Sequence, residues 1–365
     1  MKRAVRKTFA DVFGRPPAVS VEAPGRVNLL GEHTDYNDGY VLPTAIPQTT
    51  SVSIRENGGK QFSVYAAELE QAAEFTMDSA PHEHFASYVY GCLRELHDES
   101  FETPPLDIHI SSSVPIGVGL SSSAALEVAT LRALRQLFNL TLDDVAIAQL
   151  AQRAEIRYAG VNCGIMDQMA SSLADTGSML FLDTRTLQRR LLPLPMRAEI
   201  LVIDSGVARS LAGSKYNERR AECEEAAQLI GVRALRDVTE TAAVEKLPQP
   251  LRRRARHVVS ENDRVLRAVG LIDAASFGEL MNASHTSLRD DYEVSIAQLD
   301  RLVELLQIQS GVHGARLTGA GFGGACVALC VEGEARAVGE RVLDQYNTAA
   351  PHGRILVPPS GDSRI

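Results

Sequence analysis

The sequence predicts an α+β fold in two domains. Strand groups alternate with helix groups rather than following strict βαβ repeats, and 365 residues with 45% hydrophobic side chains are enough to fill two medium cores. No internal repeat or low-complexity segment interrupts the pattern. A boundary near residue 190 gives domains of 1–190 and 191–365.

In chain order, the basic amphipathic start MKRAVRKTFADVFG reads as an ordinary first helix, its Asp11 and shortness arguing against a transit peptide. VEAPGRVNLL, TTSVSIRE, KQFSVYAAE and AEFTM are β-branched or alternating segments, and Asn57-Gly58-Gly59 has the composition of a hairpin turn between the second and third. LDIHISSSV alternates as a strand that Pro115 stops. SYVYGCLRELH, ALEVATLRALRQLF and LDDVAIAQLAQRAEIRYAG carry apolar residues three and four apart, the helical spacing, with Thr141 and Asp144 marking the start of the last. SMLFLDT, LQRRLLPL and AEILVIDSG form a second strand group, followed by a long helical region from Lys215 to about Gln309. ARLTGAGFGGACVALCV, a helix from Glu332 to Tyr346 and a strand GRILVPP close the chain.

A net charge of −9 and a pI near 5.6 argue against nucleic-acid binding, which clustered Lys and Arg carry. The one dense basic run, LRRRAR from Leu251 to Arg256, has helical spacing and reads as a solvated helix face. Five cysteines without Cys-x-x-Cys spacing indicate neither a disulfide framework nor a zinc site, so reduced thiols and a cytoplasmic location are expected. No signal peptide and no membrane-length apolar run is evident.

The segment from Val114 to Phe138 reads as a strand end, a glycine-loosened turn and a long helix. Gly117 and Gly119 allow a sharp turn and close backbone approach to a ligand, while Ser121, Ser122 and Ser123 bring hydroxyls and N–H groups to the helix start. Such a terminus stabilises an anion, although serine before a helix also serves as a plain cap. Neither a Walker sequence nor a dinucleotide fingerprint is present, and protein-kinase signatures are absent. Nucleotide binding here therefore needs another design.

In Ala23 to Ile46, Arg26 alternates with Val27 and Leu29 in a strand, and Glu32, His33 and Asp35 follow in a glycine-bounded turn. Clustered acceptors beside a switchable donor suit a molecule covered in hydroxyls. Glu155 lies near a helix end, and Asp167 stands among Ile165, Met166 and Met169, where a carboxylate must be paired, capping or functional. Cys163 has no evident base and reads as a packing residue. Gly319, Gly321, Gly323 and Gly324 precede a strand rather than a helix, which excludes a dinucleotide turn and leaves a hairpin connection or a close backbone approach.

Together, APGRVNLLGEHTDYNDGY, GVGLSSSAALE, NCGIMDQ and LTGAGFGGACVAL resemble the signature segments of the galactokinase family, within the GHMP small-molecule kinases, over nearly the whole chain. The resemblance implies an N-terminal domain with a left-handed βαβ crossover, a C-terminal ferredoxin-like domain and an active site in the cleft between them. It implies that Glu32, His33 and Asp35 hold sugar hydroxyls, with Gly164 and Tyr216 completing that pocket. It further implies that Gly117, Gly119, Leu120, Ser121, Ser122, Ser123 and Ala124 cradle ATP, with Ser123 and Glu155 as Mg2+ ligands. Arg26 and Asp167 match the catalytic pair. Phe85 and Tyr88 fall where the family has a Trp-x-x-Tyr near adenine, and this chain has no tryptophan.

On that resemblance, the expected reaction is ATP-dependent phosphorylation of the anomeric hydroxyl of D-galactose, with Asp167 taking the proton. Glu32 is expected to repel a uronic acid, favouring galactose over galacturonate on electrostatic grounds. N-acetylgalactosamine and arabinose stay open, and a non-catalytic galactose and ATP sensor is the alternative from another class. The intact serine turn, Arg26 and Asp167 favour the enzyme.

Overall fold

The computed structural model describes residues 6–208, 212–239, 241–270, 273–348 and 351–359. In chain order the first half carries α1 (Phe9–Phe13), β1 (Val19–Asn28), β2 (Tyr40–Val41), β3 (Pro43–Glu56), β4 (Phe62–Ala66), β5 (Gln71–Phe75), α2 (His84–Asp98), β6 (Leu106–Ser112), α3 (Ser122–Phe138), α4 (Asp144–Ala154) and α5 (Met166–Leu173). There follow β7 (Ser178–Asp183), β8 (Arg189–Pro193), β9 (Ala198–Asp204), α6 (Ala212–Ile230), α7 (Thr241–Glu245), α8 (Leu251–Ala268), α9 (Ala274–Asp290), α10 (Ala297–Gln307), β10 (Val312–Thr318), β11 (Ala325–Val331), α11 (Ala335–Tyr346) and β12 (Arg354–Val357). The fold is the two-domain α+β arrangement that the alternating strand and helix groups predict.

One unit comprises Met1–Gly25, Gln48–Pro115 and Ser121–Leu173. Its five-stranded sheet runs β1-β3-β6-β4-β5, with β6 antiparallel to β3 and parallel to β4. Leu106 to Ile110 are all buried, so β6 takes the central position that an element covered on both faces requires. Pro24 is tolerated because β1 lies at the sheet edge. Helices α2, α3 and α4 bury Leu93, Val128, Leu131 and Ile147 in the core of this unit.

Two local expectations are corrected here. The Asn57 to Gly59 turn forms, with Asn57 Oδ1 accepting from the Gly59 N–H at 2.8 Å, but β6 lies between the strands it joins. The true hairpin is β4 with β5. Helix α4 is capped by Asp143, which accepts from the Ala146 N–H at 2.7 Å, rather than by Thr141. Asp143 directly precedes the first helical residue, so its carboxylate reaches the third N–H of the helix, whereas Thr141 stands two residues too early.

The other unit comprises Arg26–Pro47, Ile116–Leu120 and Ala174–Ile365. It holds a three-stranded sheet, β2-β7-β8, and a four-stranded antiparallel sheet, β10-β11-β9-β12. Ala325 to Cys330 of the inner strand β11 are buried throughout. The glycine-rich segment is the β10–β11 hairpin loop, and it also makes the close approach its composition allows. Gly321 has φ +75°, and a side chain there would meet the Val294 carbonyl, which accepts from the next N–H, that of Phe322, at 2.7 Å.

The basic run of α8 is not a solvated face. Arg254 is 2% exposed and pairs with Glu222 at 2.7 Å and Glu293 at 2.7 Å, while Arg256 pairs with Glu245 and Asp291. Spacing identified the helix, but the acidic partners come from α6, α7 and the segment after α9, which linear sequence does not show. Among the described residues no helix is long and apolar enough to cross a membrane.

Candidate active site

In the loop before α3, Gly117 and Gly119 have φ of +77° and +91°, the left-handed region that glycine enters without strain. Arg26, at the buried end of β1, donates its backbone N–H to Leu120 O at 3.1 Å and its Nη1 to Gly119 O at 2.8 Å. The guanidinium is thereby fixed to the loop itself. Ser121 takes the N-cap position of α3 with φ 59°, and no side chain caps the first turn. Its hydroxyl instead donates to the Asp167 carboxylate on the first turn of α5. The helix start therefore keeps its N–H groups for an anion, and Ala124 is buried in the turn beneath it.

The same unit gathers acidic side chains. Glu155 ends α4 and opens a π-helical turn, Glu155–Ala159. Its carboxylate accepts from the Ser123 hydroxyl and the Cys163 thiol, and from Gln168 Nε2 at 2.6 Å. Gln168 Nε2 also lies 3.3 Å from Oε2 of Glu127, which stands one helical turn beyond Ser123 on α3. Glu127 is fully buried and its Oε1 has no hydrogen-bond partner. Burial and the neighbouring Glu155 hold the Glu127 carboxyl well above the usual range, and burial with the nearby Asp167 pushes Glu155 up to about 7. Phe85 and Tyr88 project from α2, both half-buried. Burial and then the charges of Glu155 and Glu127 raise the Tyr88 hydroxyl. Gly164 is buried just before α5.

In the other unit the Glu32-His33-Thr34-Asp35 turn is built from below by α8, α9 and β10. Glu32 is 2% exposed, and its Oε2 accepts from Arg316 Nη2 at 2.7 Å and from the Gly319 N–H at 3.0 Å. Its charge is thus compensated. The carboxylate is one half of an ion pair rather than a bare charge. Glu261 Oε1 accepts from the Gly31 N–H at 2.9 Å and from Ser284 at 2.7 Å, and its Oε2 accepts from Arg264 at 2.6 Å. Burial alone would raise that carboxyl, yet Arg264 and His257 hold it well below the usual range.

His33 is buried, with Nδ1 2.8 Å from the Tyr36 hydroxyl, which in turn lies 2.7 Å from the Tyr292 hydroxyl. Tyr216, on α6, places its ring 5.6 Å from His33 and 5.1 Å from Tyr36. Burial, then the field of His257, lowers the His33 pKa well below its ordinary value, so the ring is neutral at pH 7. Asp35 is half-buried on the same turn.

The structure thus brings together Glu32, His33, Asp35 and Tyr216 in one unit, with Arg26 on the loop 116–120 of that unit. In the other it joins Ser121, Ser123, Glu155 and Asp167, and Gly164 lies on that same unit. Sequence reasoning missed Glu127, Gln168, Glu261, Tyr292 and Arg316. Glu127 and Gln168 were within reach, since one stands four residues beyond Ser123 and the other directly after Asp167. Glu261, Tyr292 and Arg316 are brought in by tertiary packing alone.

This fold and loop define a GHMP-type small-molecule kinase: the family models for the GHMP kinase N-terminal and C-terminal domains match residues 87–175 and 265–348. Residues 7–56 match the galactokinase galactose-binding signature. The chain belongs to the galactokinase family. It is 46% identical over 338 residues to a galactokinase of Roseiflexus sp. (strain RS-1), covering 89% of this chain and 86% of that one. To a galactokinase of Pasteurella multocida it is 41% identical over 363 residues, covering 94% of each. The crystal structure of Lactococcus lactis galactokinase complexed with galactose superposes with a TM-score of 0.88 at 35% identity, covering 95% of both chains. Methanococcus jannaschii mevalonate kinase shares the fold, with a TM-score of 0.70 at 22% identity and coverage of 94% and 98%.

Proposed function

We propose that the protein transfers the γ-phosphoryl group of ATP to the anomeric hydroxyl of D-galactose, giving galactose 1-phosphate and ADP. The observation that carries this reading is the buried Glu32-His33-Thr34-Asp35 turn inside the galactose-binding signature, built so that its acceptors and neutral imidazole are held in fixed directions. Glu32, His33, Asp35, Tyr216 and Gly164 bind the sugar hydroxyls in this reading, because each hydroxyl both donates and accepts. Residues 117–124 bind the phosphates, and Phe85 and Tyr88 flank the adenine.

Phosphoryl transfer passes through a loose transition state whose charge spreads over the γ-phosphoryl oxygens, so positioning and fixed positive charge dominate. Arg26, anchored on Gly119 O, supplies such a charge. Asp167 accepts the proton of the anomeric hydroxyl as that oxygen bonds to phosphorus and the bond from phosphorus to the ADP oxygen breaks. Ser121, donating to Asp167, holds the carboxylate in one rotamer.

Ser123, Glu155 and the unpartnered oxygen of Glu127 are hard oxygen donors and fit Mg2+. Among the described residues no cluster of three His, Cys, Asp or Glu makes a metal centre by itself, so phosphate oxygens and water complete the set. When bound, Mg2+ neutralises phosphate charge. All five cysteines are free, in keeping with the cytoplasm.

Purified protein incubated with ATP and a sugar panel tests the reading, with sugar 1-phosphate as the readout. Galactose is expected to turn over, whereas turnover confined to a uronic acid overturns the assignment. Asp167→Asn is expected to keep galactose binding and lose about 10²–10⁴-fold in kcat. Turnover within a small factor of the parent removes Asp167 from the role of base.

A further inference from the structure

We propose that Thr184 and Arg236 are positioning residues for the sugar site, fixing the backbone turn on which Asp35 stands; this rests on the reading of Asp35 as a sugar ligand. Both residues act from outside the signature segments. Thr184, directly after β7, donates its hydroxyl to Asp35 O at 3.1 Å and to Gly39 O at 2.9 Å, and its N–H to Gly39 O at 3.0 Å. One residue therefore grips both ends of the turn.

Between those ends, Asp38 has φ 58°, a left-handed conformation that a non-glycine residue keeps only when its surroundings over-determine it. Arg236, in the short 3-10 turn Leu235–Asp237, donates Nη1 to Asp38 O at 2.8 Å and Nη2 to the Tyr40 hydroxyl at 2.8 Å. Its guanidinium lies 4.4 Å over the Tyr40 ring and is itself fixed by a two-pronged bond to Asp183 at 2.5 and 2.6 Å. Arg185 reinforces the arrangement, donating Nε to Asp38 Oδ2 at 3.0 Å while its Nη1 and Nη2 grip Asp237 at 2.7 and 2.8 Å.

Planar, fork-shaped guanidinium contacts of this kind set direction as well as distance, and lysine does not reproduce them. Asp183 closes β7, and Thr184 and Arg185 follow, so a strand end serves as the ruler against which the turn is set. The Asp35 carboxylate is thereby aimed through its own backbone, and small errors of aim weaken ligand binding more than they weaken the fold.

The test measures galactose binding without nucleotide by calorimetry, steady-state constants and thermal midpoints for Thr184→Val, Arg236→Lys and Asp35→Asn. Thr184→Val is close in size and removes only the hydroxyl. It is expected to raise Kd and KM for galactose about tenfold, with kcat and the KM for ATP within about twofold of the parent. Arg236→Lys is expected to move the same constants in the same direction. The proposal is overturned if both variants bind galactose like the parent while Asp35→Asn binds it poorly, whatever their thermal midpoints. If Asp35→Asn itself binds galactose like the parent, the sugar-site reading fails first and the positioning role with it.

Discussion

His257 donates Nε2–H to the Glu32 carbonyl at 3.0 Å, which leaves Nδ1 to accept from the Ser287 hydroxyl at 2.9 Å. Burial pulls its pKa from 6.5 down to about 4, against the upward pull of Glu261. A neutral ring is therefore part of the folded state. Because the folded value lies below the unfolded one, this contribution is complete above pH 6.5 and is lost as pH falls through about 4. The loss amounts to about 3 kcal/mol. His257→Gln offers a donor and an acceptor without titrating, so urea unfolding at pH 7 and pH 4.5 should show a smaller acid loss in the variant than in the parent. An equal loss in both assigns acid sensitivity elsewhere. The residue was invisible as a site component in the sequence, since its partners are a backbone carbonyl and a serine from α9.

Among the elements, α8 shows where spacing succeeds and where it stops. Its apolar period located the helix, whereas the fate of its arginines depends on Glu222 from α6, Glu245 from α7, and Asp291 and Glu293 beyond α9. Arg254→Met should leave Glu222 with Arg219 and Glu293 with Arg253 as remaining cations, remove the bond to Asp291 O, and lower stability by about 1 kcal/mol, measured by urea denaturation. Unchanged stability would mean that Arg219, 3.0 Å from Glu222, and Arg253, 2.8 Å from Glu293, suffice for both carboxylates. The same division holds for strands: alternation located β3, β4 and β6, but nothing local told that β6 inserts between the other two. For the site, Arg26, Glu32, Ser123, Glu155 and Asp167 were legible because they stand in short contiguous motifs that resemble those of the galactokinase family. Arg316 and Glu261 stayed hidden because their importance arises only when β10 and α8 pack against the turn.

At the scale of the molecule, the two units are not consecutive pieces of chain, since the path crosses between them after Gly25, Pro47, Pro115, Leu120 and Leu173. Segment 26–47 carries the turn at 32–35 yet depends on later chain: β2 pairs with β7, Gly31 with Glu261, and Glu32 with Arg316. A fragment ending at residue 173 contains all of one unit but strands this segment with a buried carboxylate and no Arg316. It is expected to aggregate and to melt without a cooperative transition, by size exclusion and circular dichroism. A monomeric fragment with a sharp melt would show that this unit folds even when residues 26–47 lack their later partners.

The π-helical turn Glu155–Ala159 forms the last turn of the helix that α4 begins, and it opens at the residue that the proposed function assigns to magnesium. Each residue of ordinary winding rotates a side chain by about 100°, so deleting one position to restore the ordinary ladder would swing Tyr158 and the chain that leads to Asp167 out of phase with Glu155. A variant engineered purely for heat resistance would be drawn to that repair. It would gain a smoother rod and, on the proposed function, misplace the carboxylate meant for the divalent ion, so this irregularity marks a place where robustness and turnover pull in opposite directions.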